Sequence, residues 1–194
     1  GTGAAGISLG AGSVRHALIA STNSSNLAFY TNASNSGTSV TKAVEIDSAG
    51  HVTMPLQPAF QAYAGSAQSN IAVAAWTDIV FGTEAFDQNA DFASNTFTAP
   101  VTGKYQLSWH LRVEDIDVDQ AYFQVQISTS NRNYIYTVDP GTHDEDAAYH
   151  SYASSVLADM DASDTAKIQI YFSSGTTAQV DVAQDSFFSG FLAC

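Results

Sequence analysis

The residues of this chain best suited to chemistry are carboxylates and imidazoles. The run Glu114-Asp-Ile-Asp-Val-Asp119 brings Glu114, Asp115, Asp117 and Asp119 close together in sequence. Carboxylate oxygens are the hard ligands that calcium accepts, about six to eight at a time and in flexible geometry. The spacing is not that of an EF-hand loop, since no glycine stands at the sixth position and no glutamate closes it. The run therefore reads either as a source of calcium ligands or as a solvated acidic loop between two core strands. A second group, His143-Asp-Glu-Asp146 with His150, mixes imidazole and carboxylate and could hold a metal. Its other reading is an exposed loop behind the turn Asp139-Pro-Gly141.

Nothing comparable points to bond breaking. His16, His51, His110, His143 and His150 carry no accompanying catalytic signature. Among 19 Asp and Glu, a pair suited to glycoside cleavage is expected by abundance alone and carries no information. Binding is the expectation, not catalysis, through loops or grooves that offer aromatic stacking and hydrogen bonds. By residue type, Tyr134, Tyr136, Tyr149 and Tyr152 are the candidate contacts to a receptor.

Those side chains need a scaffold, and the composition says which kind. With 45% hydrophobic residues, 9 Tyr and 11 Phe in 194 residues, the chain is globular and not disordered. Only 13% is charged, and the net charge is −13, with 6 Lys and Arg in all and no basic cluster. That excludes the electrostatic footprint of a nucleic-acid binder or of a protein that lies on anionic lipid. No apolar run approaches the roughly 20 residues of a membrane-spanning helix, so no membrane insertion is expected. Cys194 is the single cysteine and cannot form a disulfide within one chain.

The clearest structural signal is strict alternation after the turn Pro100-Val-Thr-Gly103. Tyr105, Leu107, Trp109, Leu111 and Val113 are apolar, while Gln106, Ser108, His110 and Arg112 between them are polar. Period two over this length predicts a strand with one buried and one wet face. Similar alternation marks Phe123–Ile127 and Ile168–Phe172, and no stretch has a convincing helical period. About ten candidate strands after residue 57 predict an all-β sandwich: 59 to 64, 77 to 81, 96 to 99, 104 to 113, 120 to 128, 133 to 138, 150 to 159, 166 to 172, 180 to 183 and 185 to 193.

Residues 1 to 57 have another texture. Arg15, Lys42, Glu45 and Asp47 are their only charges, and short strand-like pieces at 7 to 9, 17 to 20, 27 to 30 and 44 to 46 alternate with turn clusters such as Asn23–Asn26, Asn32–Gly37 and Asp47-Ser-Ala-Gly50. So few large apolar side chains cannot offset an ordering cost of roughly 1–2 kcal/mol per residue. These pieces are expected to share a core between copies of the chain. Pro55 and Pro58 bracket the joint, which divides a β-rich stalk or neck, 1–57, from a head, 58–194.

Two resemblances add to this. Phe97, Pro100, Gly103, Tyr105, Phe188, Gly190 and Phe191 match the globular head of complement component 1q and its tumour-necrosis-factor-like relatives. That likeness implies a jelly-roll head and a homotrimer but no particular ligand, with Tyr105 and Phe191 in the sheet interior and Gly103 and Gly190 where side chains would obstruct. It also implies calcium near a trimer axis, which would draw on Glu114, Asp115, Asp117 and Asp119. The runs Leu27-Ala-Phe-Tyr-Thr-Asn32 and Ile46-Asp-Ser-Ala-Gly-His-Val-Thr-Met-Pro55 resemble stalk segments of bacteriophage tail fibres. That likeness implies an extracellular virion appendage, joined to other virion proteins on its amino-terminal side, whose head binds a host surface glycan or protein. A purely structural fibre cap or capsid decoration, and a secreted complement-like lectin, remain the alternatives.

Overall fold

A computed structural model describes residues 6–9, 17–21, 25–32, 40–173 and 180–194. The turn clusters read at Asn23–Asn26 and Asn32–Gly37 fall largely outside these residues, as do Arg15 and His16. The chain divides into two compact units, Gly1–Gln57 and Pro58–Cys194.

The first unit is a five-stranded antiparallel meander in chain order: β1 Gly6–Leu9, β2 Ala17–Ser21, β3 Leu27–Thr31, β4 Thr41–Ile46 and β5 Val52–Thr53. The turn between β4 and β5 is built by Asp47, whose Oδ1 accepts from the backbone N–H of Ala49 at 2.8 Å and of His51 at 2.9 Å. Gly50 takes the left-handed φ of 89° that the reversal requires. Hydrogen bonding from the His51 ring and backbone holds the Asp47 carboxyl below its ordinary range. Ala20 and Ala28 are the buried apolar residues among those described here, whereas Ile7, Leu27, Phe29, Val52, Met54 and Leu56 are exposed. Leu18, Ile19, Val44 and Ile46 are half-buried, so among the described residues no large apolar side chain of this sheet is fully buried.

The second unit is a sandwich of antiparallel sheets. Its strands are β6 Ala59–Tyr63, β7 Trp76–Asp78, β8 Thr83–Asp87, β9 Phe92–Ala93, β10 Thr96–Thr98, β11 Gly103–Ile116, β12 Phe123–Thr129, β13 Asn133–Val138, β14 Ala147–Met160, β15 Thr165–Phe172, β16 Asp181–Val182 and β17 Phe187–Leu192. One sheet runs β13-β12-β15-β10-β9, with β7 also on β15; the other runs β14-β11-β17-β6-β8, with β16 also on β11. The last strand thus lies between the central strand β11 and the first strand β6. All-β architecture is as the alternation predicted, and among the described residues one 3-10 turn, Pro140–Thr142, is capped by the Asp139 carboxylate.

β11 follows its parity: Tyr105, Leu107, Trp109, Leu111 and Val113 are buried, and the residues between them are half-buried. It runs beyond the predicted end at Val113 to Ile116, which is fully buried although strict alternation would turn it outward; Asp115, with φ 55°, breaks the parity between them. The core centres on Phe60, which stacks on Phe92 at 5.0 Å and Phe97 at 4.8 Å and meets Phe188 edge-on at 5.0 Å. Gly190 lies directly against it. A Cβ there would come within 2.7 Å of Leu107 Cδ2 and 2.9 Å of Phe60 Cε1, so glycine is what lets β17 sit this close. Phe191 corrects the expectation of an interior position: β17 turns Phe188 and Gly190 inward, which by alternation puts Phe191 outward, 50% exposed.

The turn between β8 and β9 carries a titratable strain. Asp87 accepts from the backbone N–H of Asp91 and of Phe92, and Asp91 Oδ2 is buried without a hydrogen-bond partner. Burial, and then the charge of Asp87, push the Asp91 carboxyl above its ordinary value. A carboxyl raised in the folded state binds its proton more tightly there, so folding gains as pH falls toward the raised value, and ionised Asp91 costs stability at neutral pH. Asp91→Asn should therefore raise the melting temperature at pH 7, with a gain that fades on acidification to about pH 4, where the unfolded carboxyl is protonated too. Thermal scans of both proteins across that range check it; an equal or larger gain at pH 4 would contradict it.

Candidate functional site

The acidic run does not gather into a cage within the chain. Glu114 Oε1 accepts from Arg112 Nη2 at 2.7 Å, and the same guanidinium reaches Asp185 at 3.2 Å. Asp115 is exposed with φ 55°. Asp117 Oδ1 accepts from the Asp119 backbone N–H at 2.8 Å, and Asp146 Oδ1 from that of Val118 at 3.0 Å. These oxygens serve Arg112 and the local backbone, the usual competing role of aspartates in turns. Among the described residues no three His, Cys, Asp or Glu side chains converge to hold a metal. Neither Glu114, Asp115, Asp117 and Asp119 nor His143–Asp146 with His150 forms such a group within one chain; the calcium expected near a trimer axis would draw on three copies. His143 and His150 do meet, with ring centroids 5.2 Å apart, and His150 then stacks on Tyr152 at 4.7 Å.

The tyrosines part company. Tyr152 is 8% exposed on the inward row of β14, packed edge-on to Phe123 at 5.1 Å, with its hydroxyl pushed up in pKa by burial. It is a core residue, not a surface contact, because it pairs opposite Leu111 and shares its face. Tyr149, three residues before Tyr152 and so on the opposite face of the strand, is 70% exposed. Tyr134 is half-buried, with its hydroxyl donating to Asp159 at 3.4 Å, and Tyr136 meets Trp109 edge-on at 5.7 Å. Tyr134 and Tyr136 therefore come together, with Trp109, Ile127, Ile135 and Val156, in a groove of about 240 Å³. It opens at the side of the sandwich where the edge strands β13 and β14 face each other.

A larger surface lies on the outer face of the β14-β11-β17-β6-β8 sheet. The register aligns three rows across it: Leu157, Gln106, Phe191 and Ala59; Ser155, Ser108, Ser189, Gln61 and Phe86; Ala153, His110, Phe187, Tyr63 and Thr83. Leu157, Phe86 and Phe191 are each half or more exposed, and His110 stacks on Phe187 at 5.2 Å with its Nδ1 buried and unpartnered. No Asp, Glu, Lys or Arg stands in these rows, in a chain of net charge −13. Sequence reading missed this face; the signal was the parity of Phe188 and Gly190, which forces Phe187 and Phe191 outward. It also passed over Gly6-Ile-Ser-Leu-Gly10, which has the spacing of a turn that presents a nucleophilic serine. Here Ser8 lies within the strand Gly6–Leu9, opposite Leu18.

Among the described residues no helix is long and apolar enough to cross a membrane. No curated protein matches the chain. Solved structures do: the globular domain of zebrafish complement 1qA is similar at 15% identity and a TM-score of 0.50, covering 71% of this chain and 98% of its own. Murine APRIL is similar at 12% identity and a TM-score of 0.51, covering 70% and 98%. At such identities the likeness shows the fold, a jelly roll of the complement 1q and tumour-necrosis-factor type. The model of the C1q domain matches residues 59–193, the whole sandwich just described, and the chain belongs to the C1q domain family.

Proposed function

We propose that this chain is the homotrimeric head end of a bacteriophage tail-fibre-like appendage, and that the head binds a receptor on the bacterial surface without breaking bonds. The observation that carries the trimer is the aromatic patch of three uncharged rows on the face formed by β14, β11, β17, β6 and β8. Three chains of −13 repel one another, and a patch free of formal charge is where they can meet at least electrostatic cost. The groove at Trp109 and Tyr136 supplies a second, different apolar patch. Two unlike patches on one chain fit a head-to-tail contact, which closes into a ring when the rotation allows. C1q-type domains form homotrimers and are typically extracellular, in keeping with this reading.

Attachment rests on the amino-terminal unit. Among the described residues its meander buries only two alanines and leaves Ile7, Leu27, Phe29 and Val52 exposed, as a stalk does whose core forms between copies. The runs Leu27–Asn32 and Ile46–Pro55 supply the tail-fibre likeness, and tail fibres are the parts of such particles that touch a host. Fluorescently labelled full chain should decorate cells of a susceptible bacterial strain and leave resistant strains dark. A trimer that labels no strain in a broad panel would overturn the adhesive role in favour of a structural fibre cap.

A further inference from the structure

The other outer face of the sandwich, on the β13-β12-β15 sheet with β7, is built differently. Here the register lines up Trp76, Tyr171, Gln124 and Thr137 in one row, Asp78, Gln169, Gln126 and Ile135 in the next, and Lys167, Ser128 and Asn133 in a third. The Trp76 and Tyr171 rings are 5.4 Å apart, and Tyr122, just before β12, lies 6.1 Å from Tyr171 and near-parallel to it. Trp76 and Tyr122 are each 38% exposed. No packing role explains three aromatic rings held in contact at the surface, with their nearest strand neighbours glutamines.

Those glutamines are fixed by a relay. Gln126 Nε2 donates to Gln169 Oε1 at 2.7 Å, Gln169 Nε2 donates to Asp78 Oδ1 at 2.6 Å, and Lys167 Nζ donates to Asp78 Oδ2 at 2.9 Å. Beside the aromatic row, Gln124 Nε2 donates to Thr137 Oγ1 at 3.0 Å. Each amide is thereby held in one orientation. Gln126, 3% exposed, is left with Oε1 lacking a donor, an orphaned buried acceptor at the floor of the patch. Asp78 and Lys167 cancel each other, so the patch has rings, amides and hydroxyls but no net charge.

We infer that this face is a binding platform for a neutral saccharide. A sugar ring offers an apolar C–H face for the aromatic row and a rim of hydroxyls, each both donor and acceptor, for oriented amides. An anionic polymer is disfavoured, because the only cation in the three rows is already paired and the chain carries −13. The platform lies on the opposite sheet from the uncharged patch assigned to the trimer. Assembly leaves it open, and three copies per trimer raise the affinity for a repetitive glycan without any new contact. The inference deepens the attachment reading and rests on it only for the source of the glycan, a bacterial surface.

The two tryptophans make the test direct. Trp109 is buried at 2% exposure, so a change in emission on adding sugar reports Trp76. The full chain is titrated with a neutral glucan, a neutral mannan and a neutral galactan, with anionic alginate as a control, in 0.15 M salt. At least one neutral polymer should shift the emission, and Tyr171→Ala should weaken that binding about tenfold or more while Tyr171→Phe retains it. The trimer mass should be unchanged in both variants. No response to any of the three neutral polymers overturns the platform, as does unaltered binding by Tyr171→Ala, or a loss of trimer mass that would make this face a subunit contact. If Tyr171→Ala fails to fold, Gln169→Ala replaces it, and a neutral polymer bound equally well by that variant overturns the proposal. Cell labelling separates the two readings: cells still decorated by Tyr171→Ala leave attachment standing and remove this platform from it, whereas polymer binding by a chain that labels no cells does the reverse.

Discussion

Trp109→Ala should cost the head about 3–5 kcal/mol of unfolding free energy, the largest loss expected from any one truncation here. The indole sits in the middle of β11 at 2% exposure, on the inward row between Leu107 and Leu111. Removing it leaves a void beside Tyr136, whose ring it meets edge-on, and connects that void to the groove at the sandwich edge. The surroundings belong to paired strands on two sheets and can close only in part. Urea unfolding of the full chain, followed by circular dichroism, measures the loss, with Trp109→Phe as the companion that keeps most of the volume. A cost below about 1 kcal/mol for the alanine variant would mean that the site is not a packed interior.

Phe191→Asp should turn a trimer into monomers. The change puts a carboxylate into the three rows that hold no formal charge, beside Gln106 and in line with Leu157. In a closed ring it does so once per subunit. Burying an unpaired carboxylate costs several kcal/mol, and the substitution also removes the apolar area of the ring. Within one chain Phe191 is half exposed and faces away from the Phe60 cluster, so the fold itself should be spared. Light scattering behind size exclusion should read a third of the parent mass with an unchanged far-ultraviolet spectrum. A parent mass in the variant would remove this face from the subunit contact.

How far the fold could be read in advance depended on contrast between faces. β11, β12 and β15 were legible because a buried row alternates with a wetter one, as at Tyr105 to Val113 and Ile168 to Phe172. β8 was not, since Thr83, Glu84, Ala85 and Phe86 are all exposed on a sheet edge and leave no period-two signature. β9 pairs only Phe92 and Ala93, too short to show any. Phe191 was expected inside on the likeness to the complement 1q head alone; Gly190, whose missing side chain makes room for Phe60, settles the parity the other way.

The candidate sites were less legible, for two physical reasons. Residue type alone cannot tell Tyr152 from Tyr149, though the register opposite Leu111 decides it at once. The acidic run looked like a set of free ligands, yet Asp117 and Asp119 stand two apart, the spacing at which an aspartate binds its own backbone. The platform around Tyr171 was invisible for the opposite reason. Trp76, Tyr122, Gln169 and Tyr171 come from three separated segments and meet only once β7 and β12 flank β15.

The placement of β17 between β6 and β11 has a consequence for biosynthesis. A ribosome delivers β6 and β11 long before the residues that join them, so the nascent head carries two unpaired strand edges until Phe187–Leu192 emerges. Pairings so distant in sequence close slowly, and open edges invite the wrong partner while they wait. Chains stalled or cut short of Phe187 should therefore be the species that aggregate, and expression yield should respond more to changes in the last strand than to changes of equal thermodynamic cost in the hairpin β12–β13, which is complete as soon as it is made.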